Sequence, residues 1–384
     1  MSRGGEVFDW VVVGGGPHGV CASSALTAQG ANVAVVEPSG LLMQRWQQRA
    51  DSVAMTWMRS PVGHHLDASP SSLDHYLHRP ENQDVASLTG KLRRPTAAAF
   101  LRHTNDLIAR HELRSKVTSG TVEFIEKEGS TLLVLGRGVE LRARRVLLAT
   151  GSNQLRVPSW ASVLRRDGAP IHHVFGGRDD STSDVIGGGI SAVQYALKMT
   201  RTVGEPVRIW MRRPVQEAEF DLDRALTKHR FVARWMGLDV DERFTFLERT
   251  RGRGSVPRGL ASRLDRAVRN GSVELTIGIP AVEWDSTRDR LLLTCGGKTM
   301  ESRGLTLATG IEPETLPAWL RGIADQFDLP TADGVPHLDE QMHWGRGIHV
   351  CGALARLRLG PMASQIVGAR WAASRLPGTR LLPV

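Results

Sequence analysis

Hydrophobic and polar positions follow one grammar twice along this chain. Phe8-Asp9-Trp10-Val11-Val12-Val13 is an almost uninterrupted β-prone run, as expected of a parallel strand buried on both faces. The glycine turn Gly14-Gly15-Gly16-Pro17-His18-Gly19 follows it. A small-residue helix is predicted from Val20 to Gln29, and Asn32 to Val36 reads as a second strand closing on Glu37. The order recurs far downstream. Ser183 to Ile186 is a short strand, Gly187-Gly188-Gly189-Ile190-Ser191-Ala192 a turn, and a helix runs to about Met199. Val207 to Met211 is a strand closing on Arg212-Arg213. The wide spacing suits two separate domains of related topology, not a tandem repeat.

Two further apolar strands end alike, Val146 to Gly151 and Leu305 to Gly310, each in Ala-Thr-Gly. Residues 117–146 alternate and carry Gly129, Gly136 and Gly138, which predicts an antiparallel meander; 273–303 repeat the idea around Gly296-Gly297. Residues 215–270 read as polar helices broken by Arg251-Gly252-Arg253-Gly254, a loop expected to be mobile. Segments near 156–170 and 311–317 are expected to cross between domains. Ile348 to Cys351 is a last strand, and Leu359-Gly360-Pro361-Met362-Ala363-Ser364 opens a helix to about Ala373. Small residues and a proline there would expose backbone N–H groups.

Each glycine turn has a physical reading. Gly14 permits the tight bend, Gly16 lets backbone approach a pyrophosphate, and Gly19 lets the helix pack on the sheet. Glu37, about 20 residues on, is placed to accept hydrogen bonds from ribose hydroxyls. In the second turn the pattern is Gly187, Gly189, Ala192, and the strand ends in Arg212 and Arg213. Guanidinium groups pair with a 2′-phosphate where a carboxylate would repel it, so NADPH is favoured over NADH.

Composition narrows the classes. With 384 residues, 41% hydrophobic and 23% charged, the chain can bury a substantial core of two or three domains. No apolar run approaches the roughly 18 residues of a membrane helix, and the first residues lack a signal-peptide pattern. Cys21, Cys295 and Cys351 form no Cys-x-x-Cys, which fits a reduced, cytoplasmic setting without a dithiol centre or zinc site. The net charge of +9 is concentrated between Arg243 and Arg269, where eight arginines face Glu248 and Asp265. Aromatic residues are only 5%, so a local basic segment near an anionic ligand is a simpler reading than nucleic-acid binding. A solvated helical surface explains that segment equally well. The pairs His64/His65, His75/His78 and His172/His173 lack metal-ligand spacing, and no metal is expected. There is no Gly-x-Ser-x-Gly.

The ordered set GGGPHG, Glu37, ATG at 149–151, GGGISA, ATG at 308–310 and the CGA turn at 351–353 resembles the two-dinucleotide-binding-domain flavoproteins. The family comprises flavin monooxygenases and pyridine-nucleotide-dependent reductases. Within it the chain looks most like the N-hydroxylating lysine/ornithine-type monooxygenases. The resemblance implies an α/β fold of two Rossmann-like, three-layer ββα domains, the second inserted in the first. Residues 1–157 and 304–384 would bind FAD, and 158–303 would bind NADPH, with a helical insertion at about 215–270.

The residues so implied for FAD are Gly14, Gly16, Pro17, His18, Gly19, Glu37, Pro38, Trp46, Val122, Thr150, Gly151, Gly352, Gly360, Pro361 and Met362. Those for NADPH are Gly187, Gly189, Ile190, Ser191, Ala192, Arg212, Arg213, Thr309 and Gly310. Trp46 and the segment through Met55, Arg59 and Ser60 lie where that branch packs residues against the flavin ring, which makes the last three flavin-adjacent candidates. Gly168 to His172 is similar to part of the flavin-monooxygenase fingerprint, with Arg166 in place of its leading Phe. Gly352-Ala353 stands where the reductases carry Gly-Asp.

The implied activity is NADPH-dependent insertion of one oxygen atom from O₂ into a small-molecule nucleophile, an amine nitrogen or sulfur. An NADPH-flavin oxidoreductase or oxidase without oxygen insertion, and a non-enzymatic redox sensor, are the competing readings. The disulfide-reductase branch is excluded because it needs a cysteine pair. The oligomeric state is left open.

Overall fold

The computed structural model describes residues 6–151, 154–177, 182–227, 229–250, 254–312 and 315–379. Its first lobe is built on an eight-stranded sheet. The strand Val7–Val13 lies between Val33–Glu37 and Val139–Leu148, parallel to both, with Val12 opposite Val35 on one side and Leu147 on the other. Val117–Ser119 extends the sheet beyond Val33–Glu37, and Ile348–Val350 extends it beyond Val139–Leu148, also in parallel. Val11, Val12, Leu147 and Leu148 are fully buried, which is why these strands read as continuous apolar runs. The C-terminal strand therefore returns to the first sheet.

Val139–Leu148 pairs differently along its two halves. Its first half pairs antiparallel with Thr131–Arg137, which pairs with Thr121–Glu128, and this is the expected meander. Its second half runs parallel to Val7–Val13 and ends in the first Ala-Thr-Gly.

The second lobe is a five-stranded parallel sheet in the order Val273–Ile277, Val207–Met211, Asp184–Ile186, Leu305–Leu307, Ile171–His173. Two expectations change here. Leu305–Leu307 pairs with Asp184–Ile186 and Ile171–His173, so the boundary at 304 is misplaced: the second Ala-Thr-Gly strand belongs to the second sheet, not to the FAD-side unit. Val273–Ile277 joins that sheet as an edge strand, leaving only Ala281–Asp285, Arg290–Cys295 and Lys298–Ser302 as the second meander. An apolar strand carries no local mark of which sheet it enters, so neither placement could be read from its composition. The chain crosses between lobes where Leu155 bridges Ile311 and the Thr309 hydroxyl donates to the Arg156 carbonyl.

The expected polar helices of 215–270 are His229–Met236, Val240–Thr250 and Arg258–Arg269. Arg251, Gly252 and Arg253 of the expected mobile loop lie outside the described residues. Among the described residues the basic run forms no single face. Arg263, Arg266 and Arg269 point to solvent from a helix whose Ala261, Leu264 and Ala267 are buried. Arg243 is itself buried and donates to the carbonyls of Leu357 and Met236.

Candidate cofactor and active site

The two glycine turns are built alike. Gly14 has φ +114° and Gly187 φ +154°, and a Cβ on either would collide with a carbonyl oxygen, that of Ala149 in the first lobe and Ala308 in the second. The Gly14 N–H donates to Val36 O at 2.8 Å and the Gly187 N–H to Trp210 O at 2.9 Å. Ala149 N–H donates to Val13 O and Ala308 N–H to Ile186 O. Each Ala-Thr-Gly thus backs its own glycine turn, which explains why the two motifs travel together in the sequence.

Beyond each turn a helix begins, Pro17–Thr27 and Ile190–Met199, capped by Gly16 and Gly189 without a side-chain hydrogen bond. Their first N–H groups and partial positive charge are therefore open to an anion. No heavy atom lies within 4 Å of where a Cβ on Gly16 would stand; at Gly189 only the Gly254 Cα does, at 3.6 Å. Gly19 is different. Its Cβ would strike the Gly14 carbonyl oxygen, so it serves helix–strand contact, as does the fully buried Ala192.

Both turns open into one cavity of about 1600 Å³. Ordinary single-ligand pockets occupy about 300–1,000 Å³, so this one has room for two dinucleotides. Its wall carries Gly14, Gly16, Pro17, His18, Glu37 and Trp46, then Thr150, Gly151 and Pro361, all expected on the FAD side. It also carries Gly187, Gly189, Ile190, Ser191, Arg212, Arg213, Thr309 and Gly310, all expected on the NADPH side. Glu37 ends its strand and accepts the Gly15 N–H on Oε2 at 2.7 Å, so it braces the turn as well as facing the cavity. Arg212 and Arg213 are exposed at the end of Val207–Met211.

Other expected residues lie off the wall. Val122 and Met362 are buried in the core, and Pro38 is exposed outside the cavity. Gly352 has φ +78° and sits against the His18 ring, while Gly360, φ +73°, sits against Phe231 and Trp235. These glycines shape the segment behind the wall.

The flavin-adjacent candidates Met55, Arg59 and Ser60 do not line the cavity. Met55 packs against the cores of both lobes. Arg59 pairs with Asp221 and donates to Ser255 Oγ and the carbonyls of Ala218, Glu219 and Ser255. Arg94 adds a 2.6 Å pair to Glu219 and donates to the Arg59 carbonyl. The segment is a junction between lobes. The bridge Trp57↔Thr96 ties it to the segment before Ala97–Arg110, and Arg59's partner Asp221 is itself on the cavity wall.

Two histidines brace the cavity, His18 half-buried on its wall and His173 buried behind it. His18 Nε2 donates to the carbonyl of Ala363 at 2.9 Å, and burial pushes its pKa down to about 4. His173 accepts the Phe175 N–H on Nδ1 and donates from Nε2 to the Gly310 carbonyl at 3.0 Å; burial likewise pushes it to about 4. The fingerprint comparison pointed to His172, whereas the buried ring that holds the second Ala-Thr-Gly is His173.

Sequence reading missed Arg45, Arg49, Arg156, Arg356, Phe244 and Leu247, all on the wall. Arg45 and Arg49 stand one turn apart on Gln44–Ser52, flanking Trp46, and that i, i+4 pair beside an identified residue was the available signal. The others reach the cavity only through tertiary packing.

Residues 11–153 match a family model described as FAD-NAD(P)-binding. Indole-3-pyruvate monooxygenase YUCCA1 of Oryza sativa subsp. japonica is 25% identical over 395 residues, covering 91% of this chain and 87% of the relative. Ornithine N-hydroxylase KtzI from Kutzneria sp. 744, solved with reduced FAD, NADP⁺ and L-ornithine, superposes with a TM-score of 0.74 at 17% identity, covering 97% of this chain and 98% of that one. The cadaverine monooxygenase DfoA of Erwinia amylovora, bound to FAD, gives a TM-score of 0.71 at 14% identity, covering 99% and 96%. This chain therefore carries an FAD-NAD(P)-binding domain within the two-lobed fold of the N-hydroxylating flavin monooxygenases.

Proposed function

We propose that the protein is an FAD-dependent, NADPH-using monooxygenase that inserts one oxygen atom into a small-molecule nucleophile, an amine nitrogen or a sulfur. One observation carries the reading: two glycine turns of matched geometry, each with an uncapped helix behind it, open into one continuous cavity. A single-cofactor protein has no need of the second turn. The similarity to flavin monooxygenases supports the same conclusion.

Gly14, Gly16, Pro17 and Glu37 would hold FAD, its pyrophosphate at the start of Pro17–Thr27 and its ribose at Glu37. Gly187, Gly189, Ile190 and Ser191 would hold NADPH, with Arg212 and Arg213 pairing with the 2′-phosphate. When bound, FAD supplies two-electron exchange between NADPH and O₂. Overall, NADPH, a proton, O₂ and the substrate give NADP⁺, water and the oxygenated substrate.

The chain's own contributions are positional. His18 is neutral with its proton on Nε2, so its Ala363 bond holds the helix start against the C-terminal segment without adding charge. The junction of Arg59 and Arg94 with residues 218–221 keeps the lobes together, limiting water between them. No acidic or nucleophilic side chain need bond to the substrate. Three free cysteines fit a cytoplasmic setting, and among the described residues no helix is long and apolar enough to cross a membrane.

The deciding experiment is turnover under ¹⁸O₂ with a panel of amines and thioethers, scored by product mass. One labelled atom per product is expected, with NADPH consumed in equal amount. NADPH oxidation that yields only peroxide or a reduced acceptor would instead support a flavin oxidase or reductase. Protein that stays colourless after incubation with FAD would overturn the reading.

A further inference from the structure

The helix Val240–Thr250 has two working faces, and the second is unexplained by cofactor binding. Arg243 and Phe246 share the anchoring face. The Arg243 guanidinium donates to Leu357 O at 3.1 Å and to Met236 O at 3.2 Å and lies over the Trp235 ring. Phe246 packs with Phe231 and Trp235, and these two rings close on Gly360. A second-lobe insertion is thereby fixed to residues 357–360 of the first lobe, next to Pro361 on the cavity wall.

The neighbouring face carries Phe244 and Leu247, one turn apart, and both line the cavity. They are half-buried, yet neither packs into any of the apolar clusters that form the core. Leu222 and Ile366 also line the cavity and, unlike them, pack against the first-lobe core, as Phe231 and Phe246 do. Four apolar side chains from three chain segments thus form a wall at the first-lobe end of the cavity. The phosphate-facing end is set apart by its glycines and by Arg212 and Arg213.

From this we infer that Leu222, Phe244, Leu247 and Ile366 form the substrate-selecting wall, and that the substrate carries an alkyl or aromatic body in addition to the atom oxidised. The identity of the occupant rests on the monooxygenase reading. An apolar face left wet costs free energy that an apolar ligand recovers, while Asp221, Glu248 and Arg356 on the same cavity wall leave a place for a polar end of the substrate. Because Arg243 and Phe246 hold the helix from behind, the wall is preformed and discriminates by shape and length. Phe244 and Leu247 are specificity-determining residues, not catalytic ones.

The test is calorimetric titration of the flavin-loaded protein with straight-chain primary amines of four, six and eight carbons, and with the matching alkyl methyl sulfides. In at least one series affinity should rise about fourfold per added methylene, and ornithine should bind more weakly than octylamine. Phe244→Ala and Leu247→Ala should reduce that gain to about twofold per methylene or less. Phe244→Leu should restore most of it, and Phe124→Ala, on the remote surface, should leave it unchanged. Flavin content and NADPH affinity should stay at wild-type values in all of these variants. Affinity independent of chain length in both series, an unchanged gain in the alanine variants, or a parallel loss of NADPH binding would overturn the inference. Calorimetry needs no turnover, so a chain-length dependence that stands without ¹⁸O incorporation would refute the monooxygenase reading and leave the wall in place.

Discussion

His18 and Ala363 are 345 residues apart in sequence, yet the imidazole Nε2 of one lies 2.9 Å from the carbonyl oxygen of the other. A carbonyl only accepts, so Nε2 carries the proton and the ring is neutral. This bond joins the first helix start, on the wall of the cavity, to the turn Gly360–Ser364 that precedes the last helix.

That geometry predicts an acid sensitivity. His18, His65, His173 and His349 are each lowered to about 4 and His103 to about 3, from an ordinary value of 6.5, with burial the leading cause in every case. The unfolded chain therefore binds protons that the folded chain refuses. Their stabilising contribution is complete above about pH 6.5 and is lost as pH falls toward 4. Urea unfolding at pH 7.5, 6 and 5 should show stability falling with pH, and His18→Gln should flatten part of that slope. A pH-independent midpoint over this range would contradict the neutral-histidine description.

Gly16→Val and Gly189→Val separate the two halves of the cavity. The site at Gly16 has open space around a Cβ, so the variant should fold and fail to retain flavin because the branched side chain occupies the phosphate approach. Gly189→Val should keep flavin colour and lose NADPH binding. Equal loss of flavin in both folded variants would show that the two turns do not divide the cofactors.

Gly14→Ala and Gly187→Ala fail for a different reason. Both residues have positive φ and face a carbonyl, so the added methyl must move backbone. A stability loss of about 1–3 kcal/mol is expected in thermal or urea unfolding, before any effect on ligand binding. Variants as stable as wild type would remove the clash argument.

Arg212→Ala and Arg213→Ala should narrow the preference for NADPH over NADH by about tenfold or more each, the order of one charge-assisted hydrogen bond. The measurement is the ratio of kcat/KM for the two nucleotides. An unchanged ratio would assign the arginines to the solvated surface.

Arg59→Ala separates a role at the lobe junction from one at the flavin. Its guanidinium serves Asp221, Ser255 and three carbonyls, so its removal should cost about 1–3 kcal/mol of stability, discounted from a fully buried pair because Asp221 is partly exposed. Flavin content per folded molecule should stay at the wild-type level. A variant of normal stability that lost flavin would return Arg59 to the cofactor.

The parts of this site legible in sequence are those in which one short segment contains both the constraint and its reason. Gly14, Gly16, Gly187 and Gly189 stand between an apolar strand and a small-residue helix, and strand, turn and helix together leave few alternatives. Arg59 shows the opposite. Nothing near it in sequence announces residues 218–221 or 255, and its proximity to Trp46 suggested a place beside the flavin, whereas in the folded chain it pairs with Asp221 and does not line the cavity.

The amino-acid order alone determined that two strand–glycine turn–helix–strand units exist, where each turn bends, and which charged residues end their second strands, because backbone sterics and helix starts act over a few neighbouring residues. Tertiary structure decided which sheet receives Leu305–Leu307, that His173 and not His172 holds Gly310, and that Phe244 and Leu247 face the cavity while Phe246 anchors their helix. Those outcomes depend on partners brought together across the whole chain, and the energy of such a contact is not contained in either segment by itself.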